Sequence, residues 1–280
     1  MIAFLNDRFI DEKDAQIQIG DLAIQRGYAA FDYIRTKNGQ PLFIDDYLNR
    51  FYHSAEIMFL RPAYEKSELK KIIYELIRKN SCDESGIRLI LTGGYSPDSY
   101  QPVQTNLLIT EQTLQLPVFD PETTGISLQS HNYRRDLPEV KSINYLMGIW
   151  LHQQARASGF DDLVYHTDGI LTELPRANIM MISADRKLVT PASNVLKGIT
   201  RMKLLEIARE FMEVELREIH LEELKAAPEV FVTSTTKRIL PVLRVDEKTI
   251  GNGKPGPETI RLYQQFMERE EMELASSTFF

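Results

Sequence analysis

The chain has 280 residues, of which 43% are hydrophobic and 26% charged, and its formal net charge is −7. This composition is typical of a folded protein with room for two domains, and the acidic balance argues against nucleic acid or an anionic membrane as a partner. The single cysteine, Cys82, excludes an intrachain disulfide and a thiolate metal cluster. There is no signal-peptide pattern and no apolar run of about 20 residues that could span a membrane, so we expect a soluble cytoplasmic protein.

The first part of the chain has the pattern of a small α+β domain. Hydrophobic alternation predicts strands, and helical spacing of apolar residues predicts helices. The predicted strands cover 2–10, 15–19, 86–92 and 106–111, and the predicted helices open at Asp45-Asp46 and span 66–80. Asn38-Gly39, between a β-rich run and its return strand, is a strong hairpin signal.

One face of the strand before that hairpin turn carries aromatic and cationic side chains. With a period of two, Phe31, Tyr33 and Arg35 share a face, which indicates a wall that faces a ligand. A hairpin that packs only on its own domain is the alternative. In a later strand, Arg88 lies on the face opposite Ile87.

A segment with two prolines separates the two parts of the chain. We therefore predict a small α+β lid domain over 1–113, a linker over 114–121 and a larger mixed α/β domain over 122–280. From Ser142, apolar residues at helical spacing predict a helix with a core-facing stripe. The stripe consists of positions 143, 146, 147, 150, 151 and 155. Asp168-Gly169 predicts a second hairpin turn, and a C-terminal helix is expected near 257–270.

The stretch from Asp136 to Ile182 organises the larger domain. It places Lys141 at the mouth of the predicted helix and Glu173 at a strand end. The five histidines fall in no metal-ligand spacing, so we predict no metal site.

Two segments that could bind an anion, which we call anion cups, occur later in the same domain. Gly198-Ile199-Thr200 precedes a helix, whose free N–H groups can accept a phosphate, and Ser234-Thr235-Thr236 ends a strand with three hydroxyls. Either alone is more often an ordinary cap. Together with Lys141 and Glu173 they are typical of a cofactor site.

A specific set of motifs runs through the chain in this order. It consists of Arg26-Gly27, Lys141, Asn144-Tyr145-Leu146, Thr172-Glu173, Asn178, Gly198-Ile199-Thr200-Arg201 and Thr233-Ser234-Thr235. In these motifs the chain resembles the class IV, fold-type IV enzymes that depend on pyridoxal 5'-phosphate (PLP). These are the branched-chain aminotransferases, the D-amino acid transaminases and the aminodeoxychorismate lyases. The resemblance implies an α/β (α+β) fold of two domains with PLP between them.

The resemblance also implies the roles of individual residues. Lys141 is expected to form the Schiff base with PLP and to carry the proton between substrate and cofactor, as a lysine amine can once its pKa is lowered. Glu173 is expected to pair with the pyridine nitrogen, and Tyr145 with the phenolic oxygen. The other expected cofactor ligands are Arg50, Asn178, Ile199, Thr200 and Thr235.

Substrate recognition is expected to depend on the first domain. Arg26 and Arg88 match positions that bind the substrate carboxylate, and two guanidinium groups would recognise it strongly. Phe31, Tyr33 and Arg35 would line the same site. Lys237-Arg238 replaces the acidic end of the usual motif, a change that the sequence alone does not explain.

We therefore predict a ping-pong transaminase that exchanges an amino group between an amino acid and a 2-oxo acid. A D-amino acid substrate is slightly favoured. A branched-chain L-amino acid aminotransferase and a lyase that releases pyruvate from aminodeoxychorismate are the alternatives, and a non-catalytic relative ranks last. The resemblance further implies a homodimer in which lid residues such as Arg26 complete the partner's site.

Overall fold

The structure is a computed structural model that describes residues 1–116 and 118–276. The described chain divides into two compact units. The N-terminal unit contains residues 1–115, residues 140–144 and the end of the last helix from Met272; the C-terminal unit contains the rest. The predicted linker includes Pro117 and the predicted larger domain ends in 277–280, which lie outside the described residues. The predicted domain limits stay a prediction.

The N-terminal unit is built on a six-stranded antiparallel sheet. Its elements are β1 (Ile2–Leu5), β2 (Arg8–Asp11), α1 (Leu22–Arg26), β3 (Ala29–Lys37), β4 (Gln40–Pro41), α2 (Ile44–Ile57), α3 (Lys66–Asn80), β5 (Ser85–Thr92) and β6 (Leu107–Thr113). The strand order is β2-β1-β6-β5-β3-β4. The predicted hairpin is present, because Asn38 and Gly39 both adopt the left-handed backbone that its turn requires.

Helix α2 covers one face of this sheet. Its Leu48 and Phe51 are fully buried, as are Ile34 of β3 and Leu89 of β5. Burial of each such side chain contributes roughly 1.5–3 kcal/mol. The opposite face of β3 carries the half-buried Phe31 and Tyr33. The sheet therefore has one face packed against α2 and one face on which these two rings are only partly buried.

The beginning of the chain differs from the prediction. Residues 15–19 form no strand, because Asp11 caps a single 3-10 turn over Glu12–Asp14 that takes the chain off the sheet. Helix α1 follows, capped by the Asp21 carboxylate, which accepts a hydrogen bond from the Ala23 N–H at 2.8 Å.

The C-terminal unit contains a ten-stranded mixed sheet and four helices. Its elements are β7 (Ile126–Asn132), α4 (Leu146–Ala157), β8 (Asp162–Thr167), β9 (Ile170–Leu171), β10 (Glu173–Leu174), β11 (Ala177–Ile182), β12 (Leu188–Thr190), α5 (Ile199–Ala208), β13 (Val214–Leu216), α6 (Leu221–Ala226), β14 (Glu229–Ser234), β15 (Arg238–Val245), β16 (Lys248–Thr249) and α7 (Pro257–Ser276). Helix α7 thus extends beyond the predicted 257–270, and its last residues belong to the N-terminal unit.

The sheet of the C-terminal unit has the order β13-β12-β11-β14-β15-β7-β8-β9, with β10 beside β11 and β16 beside β15. The pairs β12–β13, β15–β7 and β7–β8 are parallel and the others antiparallel. The predicted turn at Asp168-Gly169 joins β8 to β9, with both residues at positive φ. Strand β11 is buried along its whole length, at the centre of the unit's core.

Helix α4 differs from its prediction in two ways. It begins at Leu146, because residues 140–144 are extended and hydrogen-bonded in the N-terminal unit. Leu151 and Ala155 are buried, as the core-facing stripe requires, but Leu146 and Trp150 are 74% and 56% exposed. The prediction is wrong for these two residues, since the apolar surface of α4 is wider than the face that the unit's own core covers. Among residues 1–116 and 118–276, every helix is too short or too polar to traverse a lipid bilayer.

Candidate functional site

Lys141 belongs to an extended segment at the edge of β3. The Phe31 N–H donates to the Lys141 carbonyl at 2.9 Å, and the Ile143 N–H donates to the Ala29 carbonyl at 3.0 Å. The Lys141 N–H donates to the Ser54 hydroxyl on α2 at 3.1 Å. The lysine backbone is therefore held from two sides, rather than at a helix mouth as the sequence predicted.

The Lys141 amine lies on the face of the sheet that carries Phe31 and Tyr33. Its Nζ atom is 4.6 Å from the centroid of the Phe31 ring, close enough for a cation–π contact. Tyr33 and Arg35 follow on the same strand face, and Arg88 is the direct cross-strand partner of Tyr33. The Arg88 guanidinium carbon is 5.6 Å from the Tyr33 ring centroid. Four of the predicted substrate residues thus share one face with the lysine, with Arg35 only 2% exposed.

Arg50 and Arg26 lie apart from that face. Arg50, on α2, donates from Nε and Nη2 to the two oxygens of Asp32 at 3.0 and 2.6 Å, and this pair is buried on the helix-covered side of β3. Arg26 is exposed at the end of α1, and its guanidinium donates to the Gln25 carbonyl.

Glu173 is a buried carboxylate in the C-terminal unit, 4% exposed. It accepts a hydrogen bond from Arg135 Nε at 2.7 Å and one from the Leu196 N–H at 2.9 Å. Arg135 also donates to the Pro138 carbonyl. A buried carboxylate needs such partners, because its charge is otherwise too unfavourable away from water. The pair fixes Glu173 in one orientation.

An anion cup lies next to Glu173. Asn178 of β11 is the direct cross-strand partner of Glu173 of β10. The Asn178 amide donates to the Leu196 carbonyl at 2.8 Å. A Cβ atom at Gly198 would come 2.1 Å from Asn178 Oδ1, so a side chain at position 198 would displace the Asn178 amide. Gly198 caps α5, whose first turn contains no acidic residue and presents the Ile199 and Thr200 N–H groups.

Thr235 lies in the turn between β14 and β15. Lys237 and Arg238, which follow Thr236, anchor this turn through ion pairs. Lys237 Nζ is 3.2 Å from Asp162 Oδ2, and Arg238 Nε is 3.1 Å from Glu270 Oε2. Asp162 and Glu270 are both buried. The structure thus supplies a physical account of Lys237-Arg238: each cation neutralises a buried carboxylate of a neighbouring element.

Tyr145 is the N-cap residue of α4. It lines a cavity of about 200 Å³ in the C-terminal unit, together with His152, Asp162 and Arg176. His152 Nδ1 is 3.6 Å from Asp162 Oδ1.

Sequence reasoning missed the partners of several predicted site residues. Asp32, Arg135 and Glu270 each form a buried ion pair, but none stands in a motif. The only signal for Asp32 is its place between Phe31 and Tyr33, where alternation directs an acidic side chain into the core. A charged residue at a core position indicates a buried partner.

Comparison with known proteins identifies a family and a fold. The family model described as amino-transferase class IV matches residues 29–245. The chain is 30% identical over 265 residues to a D-alanine aminotransferase of Bacillus licheniformis, an alignment that covers 92% of this chain and 93% of the relative.

Solved structures give the same architecture. The branched-chain aminotransferase of Thermoproteus uzoniensis with norvaline superposes with a TM-score of 0.87 at 25% identity, over 99% of this chain and 96% of that one. The branched-chain amino acid aminotransferase of Escherichia coli superposes with a TM-score of 0.87 at 25% identity, over 97% and 95%. The predicted fold-type IV architecture is confirmed.

Proposed function

Because the chain belongs to the class IV aminotransferase family, a family of PLP enzymes, we propose that it transfers an amino group between an amino acid and a 2-oxo acid, with Lys141 as its catalytic residue. The observation that supports this assignment most directly is the placement of Lys141. Its backbone is hydrogen-bonded to β3 and α2, and its amine lies over Phe31 on the open sheet face. Such a fixed, partly desolvated amine suits nucleophilic and proton-transfer work.

The residues of the C-terminal unit fit a phosphorylated pyridine cofactor. The glycine-capped start of α5 provides N–H donors for the phosphate, where a side chain at 198 would collide with Asn178. The buried Glu173 provides a carboxylate for a protonated ring nitrogen. We assign the cofactor to Lys141, Tyr145, Glu173, Asn178, Ile199, Thr200 and Thr235. For Arg50, whose Nε and Nη2 are paired with Asp32 on the helix-covered side of β3, the phosphate role rests on the family resemblance alone.

The bound cofactor supplies an electron sink for the carbanion that forms when the substrate loses its α-proton. The protein's own part is to hold and move that proton at Lys141 Nζ, and to keep Glu173 oriented through Arg135. Arg88, exposed beside Tyr33, provides a guanidinium for the substrate carboxylate. We propose the same carboxylate role for Arg26, and a lining role for Phe31, Tyr33 and Arg35.

A D-amino acid is the substrate class that we favour. Support comes from the relative named D-alanine aminotransferase at 30% identity. A branched-chain L-amino acid is the second candidate, favoured by the likeness to the branched-chain aminotransferase of Escherichia coli.

The first experiment tests the cofactor and the lysine. We expect the purified protein to take up PLP with a yellow colour, and borohydride to fix the cofactor to Lys141. Lys141→Ala should abolish the fixation, whereas Lys248→Ala, a substitution on the edge strand β16, should leave it intact. A protein that takes up no PLP would contradict the proposal.

The second experiment separates the substrate classes. The PLP form is mixed in single half-reactions with D-alanine, D-glutamate, L-leucine and aminodeoxychorismate, and loss of the yellow colour is followed. We expect the D-amino acids to react fastest. Reaction with L-leucine alone would establish the branched-chain alternative, and pyruvate release from aminodeoxychorismate would establish the lyase.

We further propose that the enzyme is a cytoplasmic homodimer. Leu146, Ile149 and Trp150 of α4 are 74%, 63% and 56% exposed, and their i, i+3, i+4 spacing gathers them on one side of the helix. Contiguous exposed apolar surface of this kind is typical of an interface between protein chains. The exposed Arg26 would complete the partner's site. A single cysteine and the acidic composition fit the cytoplasm.

A further inference from the structure

Tyr33 lies across the neighbouring strand, directly over Gly86. A Cβ atom built on Gly86 would be 1.8 Å from the Tyr33 hydroxyl oxygen and 2.1 Å from Cζ. Gly86 is the cross-strand partner of Arg35, two residue pairs along from the Tyr33–Arg88 pair, so Tyr33 reaches it diagonally. Aromatic side chains span such diagonals, and an aromatic ring commonly covers a glycine in the adjacent strand.

The glycine at position 86 is required by the ring and not by the backbone. The glycines with positive φ are at other positions, and Gly86 has the extended conformation that any residue adopts in β5. Glycine in a strand interior is unfavourable by roughly 0.5–1 kcal/mol relative to alanine. The structure shows what offsets this unfavourable term: the missing side chain at position 86 leaves space for the Tyr33 ring.

The Tyr33 side chain has two polar neighbours, Gln112 at its hydroxyl and Arg88 beside its ring. Gln112 of β6, the cross-strand partner of Gly86, donates from Nε2 to the Tyr33 hydroxyl at 3.4 Å. The Arg88 guanidinium lies 5.6 Å from the ring centroid. Burial raises the pKa of Tyr33, so the phenol stays protonated at neutral pH. The ring is therefore a flat, neutral surface that runs from β3 over β5 towards β6.

From this packing we propose that Gly86 is a specificity-determining position, which acts by positioning Tyr33. Phe31, two residues before Tyr33 on the same face, contacts the Lys141 amine, and the Tyr33 ring extends that face away from the amine towards Gly86. We infer that the far end of a long substrate side chain reaches this ring, whereas the methyl group of alanine does not. With the ring flat on Gly86, the space over it accepts side chains larger than a methyl group. The inference rests on the proposed transaminase function.

A methyl group at position 86 would force the ring off the sheet. Ordinary carbon contacts are about 3.5–4.0 Å, well beyond the 1.8 and 2.1 Å separations, so the ring must rise towards the ligand side. A raised ring narrows the space for a large side chain and leaves that for alanine nearly unchanged.

The experiment is a double-mutant cycle on the PLP-loaded enzyme, with Gly86→Ala, Tyr33→Ala and the double variant. KM and kcat are measured for alanine and leucine of the enantiomer that the enzyme accepts. We expect Gly86→Ala to raise KM for leucine about tenfold, the effect of roughly one misplaced methyl group, and to change the values for alanine little. In the Tyr33→Ala background the same substitution should have no effect, because the ring is gone.

Two controls separate this role from a general loss of structure. Gly20→Ala, where a Cβ meets nothing within 4 Å, should leave KM unchanged for both amino acids. The yellow absorbance of the bound cofactor should be the same in Gly86→Ala and wild type. Equal losses for alanine and leucine, or the same loss in the Tyr33→Ala background, would overturn the inference.

Thermal unfolding of the four proteins distinguishes failure of the inference from failure of the proposed function. If Gly86→Ala lowers Tm only when Tyr33 is present and leucine still binds normally, the packing stands and the specificity role is wrong. If the wild type takes up PLP but reacts with neither amino acid in either enantiomer, the transaminase assignment fails, and the specificity role fails with it.

Discussion

Buried ion pairs set the orientation of the charged residues that we assign to the cofactor. Asp32 with Arg50 and Glu173 with Arg135 each join a guanidinium to a carboxylate away from water. Such a pair gains little over apolar residues of the same size, but loss of one partner leaves an uncompensated buried charge. The function of these pairs is therefore to hold one geometry.

Substitution of Asp32 tests this argument. We expect Asp32→Ala to lower the free energy of unfolding by about 3–5 kcal/mol, because Arg50 stays buried without its carboxylate. Urea unfolding measures the change. Glu75→Ala removes the exposed pair with Lys79 and should lower it by less than about 1 kcal/mol. Similar losses in the two variants would contradict the importance of burial.

His166 makes the fold sensitive to acid. Burial lowers the pKa of His166, and its neutral Nδ1 accepts a hydrogen bond from the Gly169 N–H at 3.2 Å. In the unfolded chain the pKa returns to about 6.5, so as pH falls below that value the unfolded state takes up the proton first. The contribution of His166 to the free energy of unfolding is at its maximum above about pH 6.5. It declines as pH falls towards the lower pKa that His166 has in the folded state.

We therefore expect Tm to fall between pH 7.5 and pH 5 more steeply in the wild type than in His166→Asn. Calorimetry at several pH values measures the difference in slope. His53→Asn, at an exposed position on α2, should keep the wild-type slope. Identical slopes for His166→Asn and the wild type would show that this histidine does not carry the pH dependence.

At the scale of elements, the turn between β14 and β15 is held from both sides. Lys237 connects it to β8 and Arg238 connects it to α7. Arg238 has a left-handed backbone with φ of 55°, a conformation that a non-glycine residue keeps only where its surroundings fix it. The threonine that we assign to the phosphate therefore stands on a turn with little freedom.

Loss of the ion pair between Arg238 and Glu270 of α7 should weaken binding of a phosphorylated cofactor more than binding of one without a phosphate. We expect Glu270→Gln to reduce the affinity for PLP about tenfold, the effect of roughly one charge-assisted hydrogen bond, and to leave the affinity for pyridoxal, which has no phosphate, almost unchanged. Fluorescence titration with both compounds measures the ratio.

Glu223→Gln is the matched control, because it changes a more exposed ion pair with Arg217 in the same unit. It should leave both affinities unchanged. Equal losses for PLP and pyridoxal in Glu270→Gln would indicate a general structural defect and not a positioned turn.

Local signals predicted most elements, and tertiary interactions account for those missed. The turns at Asn38-Gly39 and Asp168-Gly169 follow from residues that adopt positive φ easily, and α3 matches its prediction over 66–80. Strand β15, which contains Pro241, was not among the predicted strands. Proline is tolerated there next to the register shift between Val242 and Arg244, where the ladder to β7 is already irregular.

For the candidate site, the sequence predicted which residue types carry the chemistry. It did not predict the contacts that orient them. Motif residues such as Lys141, Glu173 and Gly198 could be named from the sequence. Gly86 and Arg135 could not, because each matters only through a partner that the fold brings to it from another strand or loop. Likewise, Leu146 and Trp150 were wrongly placed in the core stripe of α4, because helical spacing alone does not show how much of a wide apolar face the core covers.

At the scale of the whole molecule, the apolar side of α4 determines the expected assembly. We expect the wild type to be a dimer by light scattering, and Ile149→Asp to shift it towards the monomer, because a charge would be buried without a partner. Met272→Asp, which replaces another exposed apolar residue, is the control and should stay dimeric. A monomeric wild type would remove the support for the dimer.

The placement of residues 140–144 has a consequence for synthesis on the ribosome. These five residues belong to the N-terminal unit although the chain has already entered the C-terminal unit, and the segment pairs with β3 more than 100 residues earlier. Neither unit is thus encoded by one uninterrupted stretch, and a fragment that starts at residue 116 carries its lysine without the strand that holds it. A nascent chain released before Asn144 has emerged would lack two pieces of its first unit, residues 140–144 and the end of α7 from Met272. Split or permuted versions of the gene should therefore be cut outside 116–144.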